Sequence, residues 1–126
     1  MVVTRGEKYF EMSIAKLREL CDDIWICLNN ADKETERIAV KYGASIVFDN
    51  REWGKYQPFI KEDFVNKKLG RLRPDWCFCP DADEVFAKNF TRQEAEKLAS
   101  YKDVVAWEFR FIQLWDNINT LSLIHI

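Results

Sequence analysis

Between residues 8 and 79 the chain alternates two hydrophobic periods, and this alternation restricts its fold more than any other feature. Asp23–Leu28 (Asp-Ile-Trp-Ile-Cys-Leu) and Ser45–Phe48 are short apolar runs, rich in β-branched and aromatic residues, as buried strands are. Asp75–Cys79 reads the same way, opened by Pro74 and closed by Pro80. The segments between them have a helical period. Lys8–Cys21 carries Phe10, Ile14, Leu17 and Cys21 on one stripe. Asp32–Tyr42 puts Thr35, Ile38, Ala39 and Tyr42 on an inner face, with Asp32 and Glu34 in the first turn, where the macrodipole favours acids. Asn30 is placed to cap that helix, and Gly43 to end it as the C′ residue. Asp49–Gln57 reads as an irregular connection. Pro58 suits the first turn of a third helix, with Val65, Leu69 and Leu72 on one face and Ile60 a turn upstream.

Connections of this length are too long for hairpins. They imply right-handed crossovers between parallel strands, with helices on both faces. Met1–Thr4 is a stub of a first strand. Thr91-Arg92-Gln93-Glu94 has the capping-box pattern and opens a helix toward Ser100. Val104–Trp115 alternates, with Val105, Trp107, Phe109 and Phe111 against Glu108 and Arg110, as a half-buried strand does. The order is β-α-β-α-β-α-β, then α-β. The expected class is a Rossmann-like three-layer α/β/α domain with a mainly parallel sheet. The stub at one end and the alternating strand at the other imply an incomplete sheet, part of a larger domain.

The chain of 126 residues is long enough for one modest core, and five Trp and nine Phe supply it. A formal net charge of −2 gives no broad basic face, which argues against nucleic acid as a partner. No apolar run reaches membrane-spanning length and no signal-peptide core precedes the first helix, so the expected compartment is the cytoplasm. Cys21, Cys27, Cys77 and Cys79 are then expected to be reduced core thiols. Their spacings, C-x5-C and C-x-C, differ from zinc knuckles. The last six residues, Leu121-Ser122-Leu123-Ile124-His125-Ile126, are what CTGTCTCTTATACACATC encodes. That string resembles the transposon end used to prepare sequencing libraries. Residues 1–120 are therefore taken as the domain and 121–126 as a non-native tail, which leaves the lone His125 without a chemical role.

The chemistry concentrates at Asp81-Ala82-Asp83-Glu84, where three carboxylates fall within four residues after an apolar run. In open α/β sheets ligands bind at the carboxyl ends of the strands. Carboxylates crowded there repel unless a cation sits among them, and Mg²⁺ or Mn²⁺ typically bridges a few of them to substrate phosphates. The plain alternative is a solvated turn. The aromatic run before the acids and Val85-Phe86 after them hold the acids against the core.

Asp75-Trp76-Cys77-Phe78-Cys79-Pro80-Asp81-Ala82-Asp83-Glu84 resembles the D-W-x-x-x-x-D-A-D-E signature of family 2 type glycosyltransferases of GT-A fold. Thr4-Arg5-Gly6-Glu7-Lys8-Tyr9 resembles that family's R-N-E-x-x-Y/L segment, with Gly6 where Asn is usual. Asp22–Asn30 falls where the family has its second strand and D-x-x-S-x-D-x-T loop, and Tyr42-Gly43-Ala44 is typical before its third strand. The resemblance runs over residues 2–115 in order. It implies transfer of a sugar from a nucleotide-sugar donor to an acceptor hydroxyl, with Mn²⁺ or Mg²⁺ as cofactor. Asp81 would touch the ribose or reach the metal through water, and Asp83 would ligate the metal. Glu7 would hold the nucleoside, Lys55 or Lys61 would approach the diphosphate, and Trp53 would stack on a base or sugar. Leu28, Ala31 and Lys33 depart from the family's Asp, Ser and Asp, which leaves Asn29 as a substitute contact to the nucleotide. The family's catalytic base and acceptor pocket follow the strand that here ends near Trp115, so the expected chain is a fragment inactive alone. Two alternatives stand beside this. One is a haloacid-dehalogenase-like phosphatase, whose D-x-D-x-T/V motif Asp81–Val85 meets, with Asp81 as nucleophile and Asp83 as acid/base. The other is a non-catalytic α/β binding module.

Overall fold

The computed structural model describes residues 1–4, 8–109, 113–114 and 121–122. Three strands, β1 (Val2–Thr4), β2 (Trp25–Asn29) and β3 (Ser45–Asp49), form a parallel sheet in the order β1-β2-β3. The register runs Val2↔Cys27↔Val47 and Thr4↔Asn29↔Asp49. Helices α1 (Phe10–Leu20) and α2 (Lys33–Lys41) make the two crossovers. The fold is Rossmann-like α/β, as the alternating periods predict.

Side chains alternate across the sheet, so each strand feeds two cores. Val3, Ile26 and Leu28 are buried with Phe10, Ile14 and Leu17 of α1 and Ala39 of α2. Val2 and Cys27 face the other way and pack with Ile60 and Phe64 of α3 (Trp53–Leu72). Helices therefore cover both faces. With α3 on the opposite face from α1 and α2, β1 is an open edge of the sheet among the described residues.

Local chemistry explains most boundaries. The cap of α2 is Asp32, not Asn30: Asp32 Oδ1 accepts from Thr35 N at 2.8 Å, while Asn30 takes a left-handed φ of 50° between β2 and the helix. Gly43, at φ 68°, turns the chain out of α2 into β3. Helix α3 starts before Pro58, at Trp53, and contains the proline. The earlier start follows from Trp53, Tyr56, Ile60 and Phe64, spaced for one helical face and packed in the second core. That burial outweighs a cost of about 3 kcal/mol for an interior proline. Arg73, at φ 47°, ends α3 immediately before Pro74. Thr91 caps α4 (Arg92–Ala99), and its capping box with Glu94 is complete. Arg92 ties α4 to the end of α1 through Asp22 at 2.6 Å.

One expected strand and the first part of another are unpaired among the described residues. Asp75–Cys79 joins no ladder, although Cys79 lies in one cavity with Met1 and Val2 beside the β1 edge. A β1 of three residues offers few rungs, and the flanking prolines donate none. Residues 104–109 are also unpaired, and Val105, expected on a buried face, is 98% exposed. Trp107 and Phe109 instead contact side chains: Trp107 packs edge-on against Tyr101, and Phe109 joins a cluster of Phe78, Phe86 and Phe90 at centroid distances of 5.0–6.2 Å. Further on, β4 (Gln113–Leu114) pairs antiparallel with β5 (Leu121–Ser122). Phe111, Trp115 and His125 lie outside the described residues.

Candidate functional site

Two cavities flank β1. The first, of about 480 Å³, opens at the carboxyl ends of the strands and is lined by Thr4, Asn29, Asn30, Glu52, Trp53 and Gly54. Asn29 is 1% exposed. Its Nδ2 donates to the carbonyls of Asp49 at 3.0 Å and Arg51 at 2.9 Å. The side chain thus fixes the loop after β3. Asp49 is held by Arg51 through Nε and Nη2, and Arg51 Nη1 reaches Asp63 on α3 at 2.7 Å. The guanidinium holds the Asp49 carboxyl below its ordinary pKa of 3.8. Trp53 lines this cavity, with Lys61 Nζ at 5.9 Å from its ring.

The second cavity, of about 390 Å³, lies along the open edge of β1, between Met1 and Val2, Lys61 and Phe64 of α3, and Cys79 and Asp81. Lys61 Nζ bonds Asp81 Oδ1 directly. The Met1 ammonium is half-buried here and donates to the Trp25 carbonyl at 3.1 Å, and loss of solvent lowers its pKa.

The acidic stretch is a turn closed from both ends. Asp81 N donates to Glu84 Oε2 at 2.7 Å, and Glu84 N donates to the Asp81 carbonyl at 3.1 Å. Ala82, 5% exposed, enters the core beside α1. Ser13 Oγ on α1 donates to the Glu84 carbonyl at 2.7 Å. Asp81 and Asp83 are left exposed on either side of this anchor, and no described side chain pairs with Asp83. The turn is therefore exposed but held to the body of the domain at two points.

The residues singled out in the sequence divide between these places. Asn29 and Trp53 share the first cavity, and Asp81 and Lys61 share the second. Lys55 lines neither cavity; its Nζ lies 5.3 Å from the Tyr56 ring. Glu7 lies outside the described residues. The ion pair from Lys61 to Asp81 and the bond from Met1 N to the Trp25 carbonyl have no local signature in the sequence, because both arise where distant segments meet.

Two cysteines depart from expectation. Cys77 and Cys79 are exposed, not core thiols, and their sulfurs lie 3.5 Å apart; Cys27 is buried and Cys21 half-buried. The unpaired segment that carries the pair is not covered by a further strand among the described residues. The hydrogen bond between the thiols lowers the Cys79 pKa to about 6 and raises that of Cys77.

Among the described residues no group of three or more His, Cys, Asp or Glu converges to hold a metal. A cation held by protein ligands alone does not fit. Two exposed carboxylates two residues apart do fit a Mg²⁺ or Mn²⁺ ion that brings phosphate and water ligands with it. Compared with protein families, with curated proteins and with solved structures, the chain matches none. No described helix is long and apolar enough to cross a membrane.

Proposed function

We propose that the chain is the donor-binding part of a metal-dependent glycosyltransferase of the GT-A type, inactive without the residues that would carry the base and the acceptor pocket. The observation that carries this reading is the anchored acidic turn. Burial of Ala82 and the bond from Ser13 to the Glu84 carbonyl hold the turn that carries Asp81 and Asp83 against α1, beside the open edge of β1. A merely solvated turn would need neither anchor. The signature over Asp75–Glu84 and the strand-helix order agree with it.

Asp83, unpaired among the described residues, and Asp81 would hold Mn²⁺ or Mg²⁺ on the donor's diphosphate. When bound, the cation supplies charge stabilisation for the departing nucleoside diphosphate. Lys61 positions Asp81 and is released to the phosphates if Asp81 turns to the metal. Trp53, in the strand-end cavity, offers a face for a base, and Asn29 keeps that cavity's rim in place. Chain order weighs against the phosphatase alternative, because three strands precede Asp81 where that motif ends a first strand.

Calorimetry with Mn²⁺ and a panel of nucleoside diphosphates tests the reading. The expected result is weak binding that requires Mn²⁺, disappears in Asp83→Ala and persists in the control Asp103→Ala. Absence of binding by the folded protein, or equal binding in both variants, would contradict it and favour a non-catalytic module.

A further inference from the structure

We infer that Cys77 and Cys79 are a reversible thiol–disulfide site, a C-x-C pair that exchanges with small-molecule disulfides. This goes beyond the proposed glycosyl transfer and does not depend on it.

The argument is geometric. The two sulfurs are 3.5 Å apart with a direct contact between them, and both residues are exposed. A disulfide of about 2.05 Å requires them to close by roughly 1.5 Å, which side-chain rotation and a small backbone shift can supply. The backbone is able to shift because residues 76–80 join no ladder. The ring closed by a C-x-C bridge contains a single intervening residue, Phe78. Strained or exposed bridges of this kind are the readily reduced ones, unlike structural disulfides. The other two cysteines lack this combination: Cys27 is buried, and Cys21 sits half-buried at the end of α1.

The exchange balances as follows. The thiolate of one cysteine attacks a sulfur of a disulfide such as oxidised glutathione. One glutathione thiolate leaves and takes up a proton, and a mixed disulfide remains on the protein. The second cysteine, giving up its proton, attacks the protein sulfur of that mixed disulfide and expels the second glutathione. Two electrons pass from the protein thiols to the small disulfide. The net reaction converts two protein thiols and one oxidised glutathione into one protein disulfide and two reduced glutathiones.

The test equilibrates the full chain in glutathione redox buffers, quenches with acid, alkylates in denaturant and maps the peptides by mass. The expected product is lighter by two hydrogens, with Cys77 and Cys79 protected and Cys21 and Cys27 alkylated. Dithiothreitol restores all four thiols. Cys79→Ser and Cys77→Ser, exposed and nearly isosteric changes, should each stop at a glutathione adduct on the remaining cysteine. The proposal is overturned if the wild-type protein stops at adducts as the variants do, if Cys77 pairs with Cys21 instead, or if both thiols stay free in the most oxidising buffer. None of these readouts involves a metal or nucleotide, so a failure of the glycosyltransferase reading leaves this result distinguishable.

Discussion

The βαβαβ half of the molecule and the stretch after α3 are both rich in aromatic and aliphatic residues, yet only the first half builds a sheet with them. Residues 2–49 form three strands whose side chains alternate between two cores. Residues 73–109 form one short helix, a turn and a satellite cluster of phenylalanines. The difference is one of partners. A parallel strand is stable only when a neighbour completes its hydrogen bonds and helices cover its faces. β2 has both neighbours. Residues 75–79 and 104–109 have none among the described residues, so their aromatic rings pack on each other instead.

This contrast can be broken by experiment, starting with the largest effect. Ile26→Ala, on the central strand and 0% exposed, should cost about 3–4 kcal/mol in denaturant unfolding. Phe86→Ala, in the half-buried ring cluster, should cost less than about 2 kcal/mol despite removing more atoms. Equal costs would mean that the second half is as firmly packed as the first. Asn29→Ala comes next. It removes the Asn29 donor from the Asp49 and Arg51 carbonyls, leaving Arg51 only the longer 3.5 Å bond from Asn30, and should cost about 2 kcal/mol by the same measurement. A neutral outcome would show that the loop after β3 does not rely on Asn29.

Asp49 sharpens the same point through pH. Its folded pKa lies below the ordinary 3.8, chiefly because Arg51 bonds the carboxylate. A carboxylate lowered on folding adds stability above its unfolded pKa and loses it as pH falls through the folded value. Wild-type stability should therefore fall below about pH 4 more steeply than that of Asp49→Asn. Parallel pH profiles would contradict this. The smallest effect belongs to the second half: Thr91→Ala removes the α4 capping box and should cost about 0.5–1 kcal/mol, read as faster amide exchange over Arg92–Ala99 with little change in β2.

The same division decides what the sequence disclosed. β2, α2, β3 and the α4 cap could be read within a residue or two, because local period and capping chemistry agree with the packing there. Helix α3 was misplaced because Pro58 is a strong local signal, whereas the stripe from Trp53 to Phe64 matters only once a second sheet face exists to bury it. The strand expected at Asp75–Cys79 had the right composition, but composition does not specify a ladder partner. Of the site, the acidic turn was legible as a motif. Its anchors, Ser13 and the buried Ala82, and the bond from Lys61 to Asp81 were not, since each joins residues far apart in the chain.

Mn²⁺ broadening of amide signals is the most direct probe of the acidic turn as a metal and diphosphate site. With a nucleoside diphosphate present, the signals of Asp81, Ala82, Asp83 and Glu84 should broaden at Mn²⁺ levels that leave the exposed pair Asp22-Asp23 sharp. Broadening that ignores the diphosphate, or that appears at Asp22-Asp23 as readily as at Asp81–Glu84, would contradict the account.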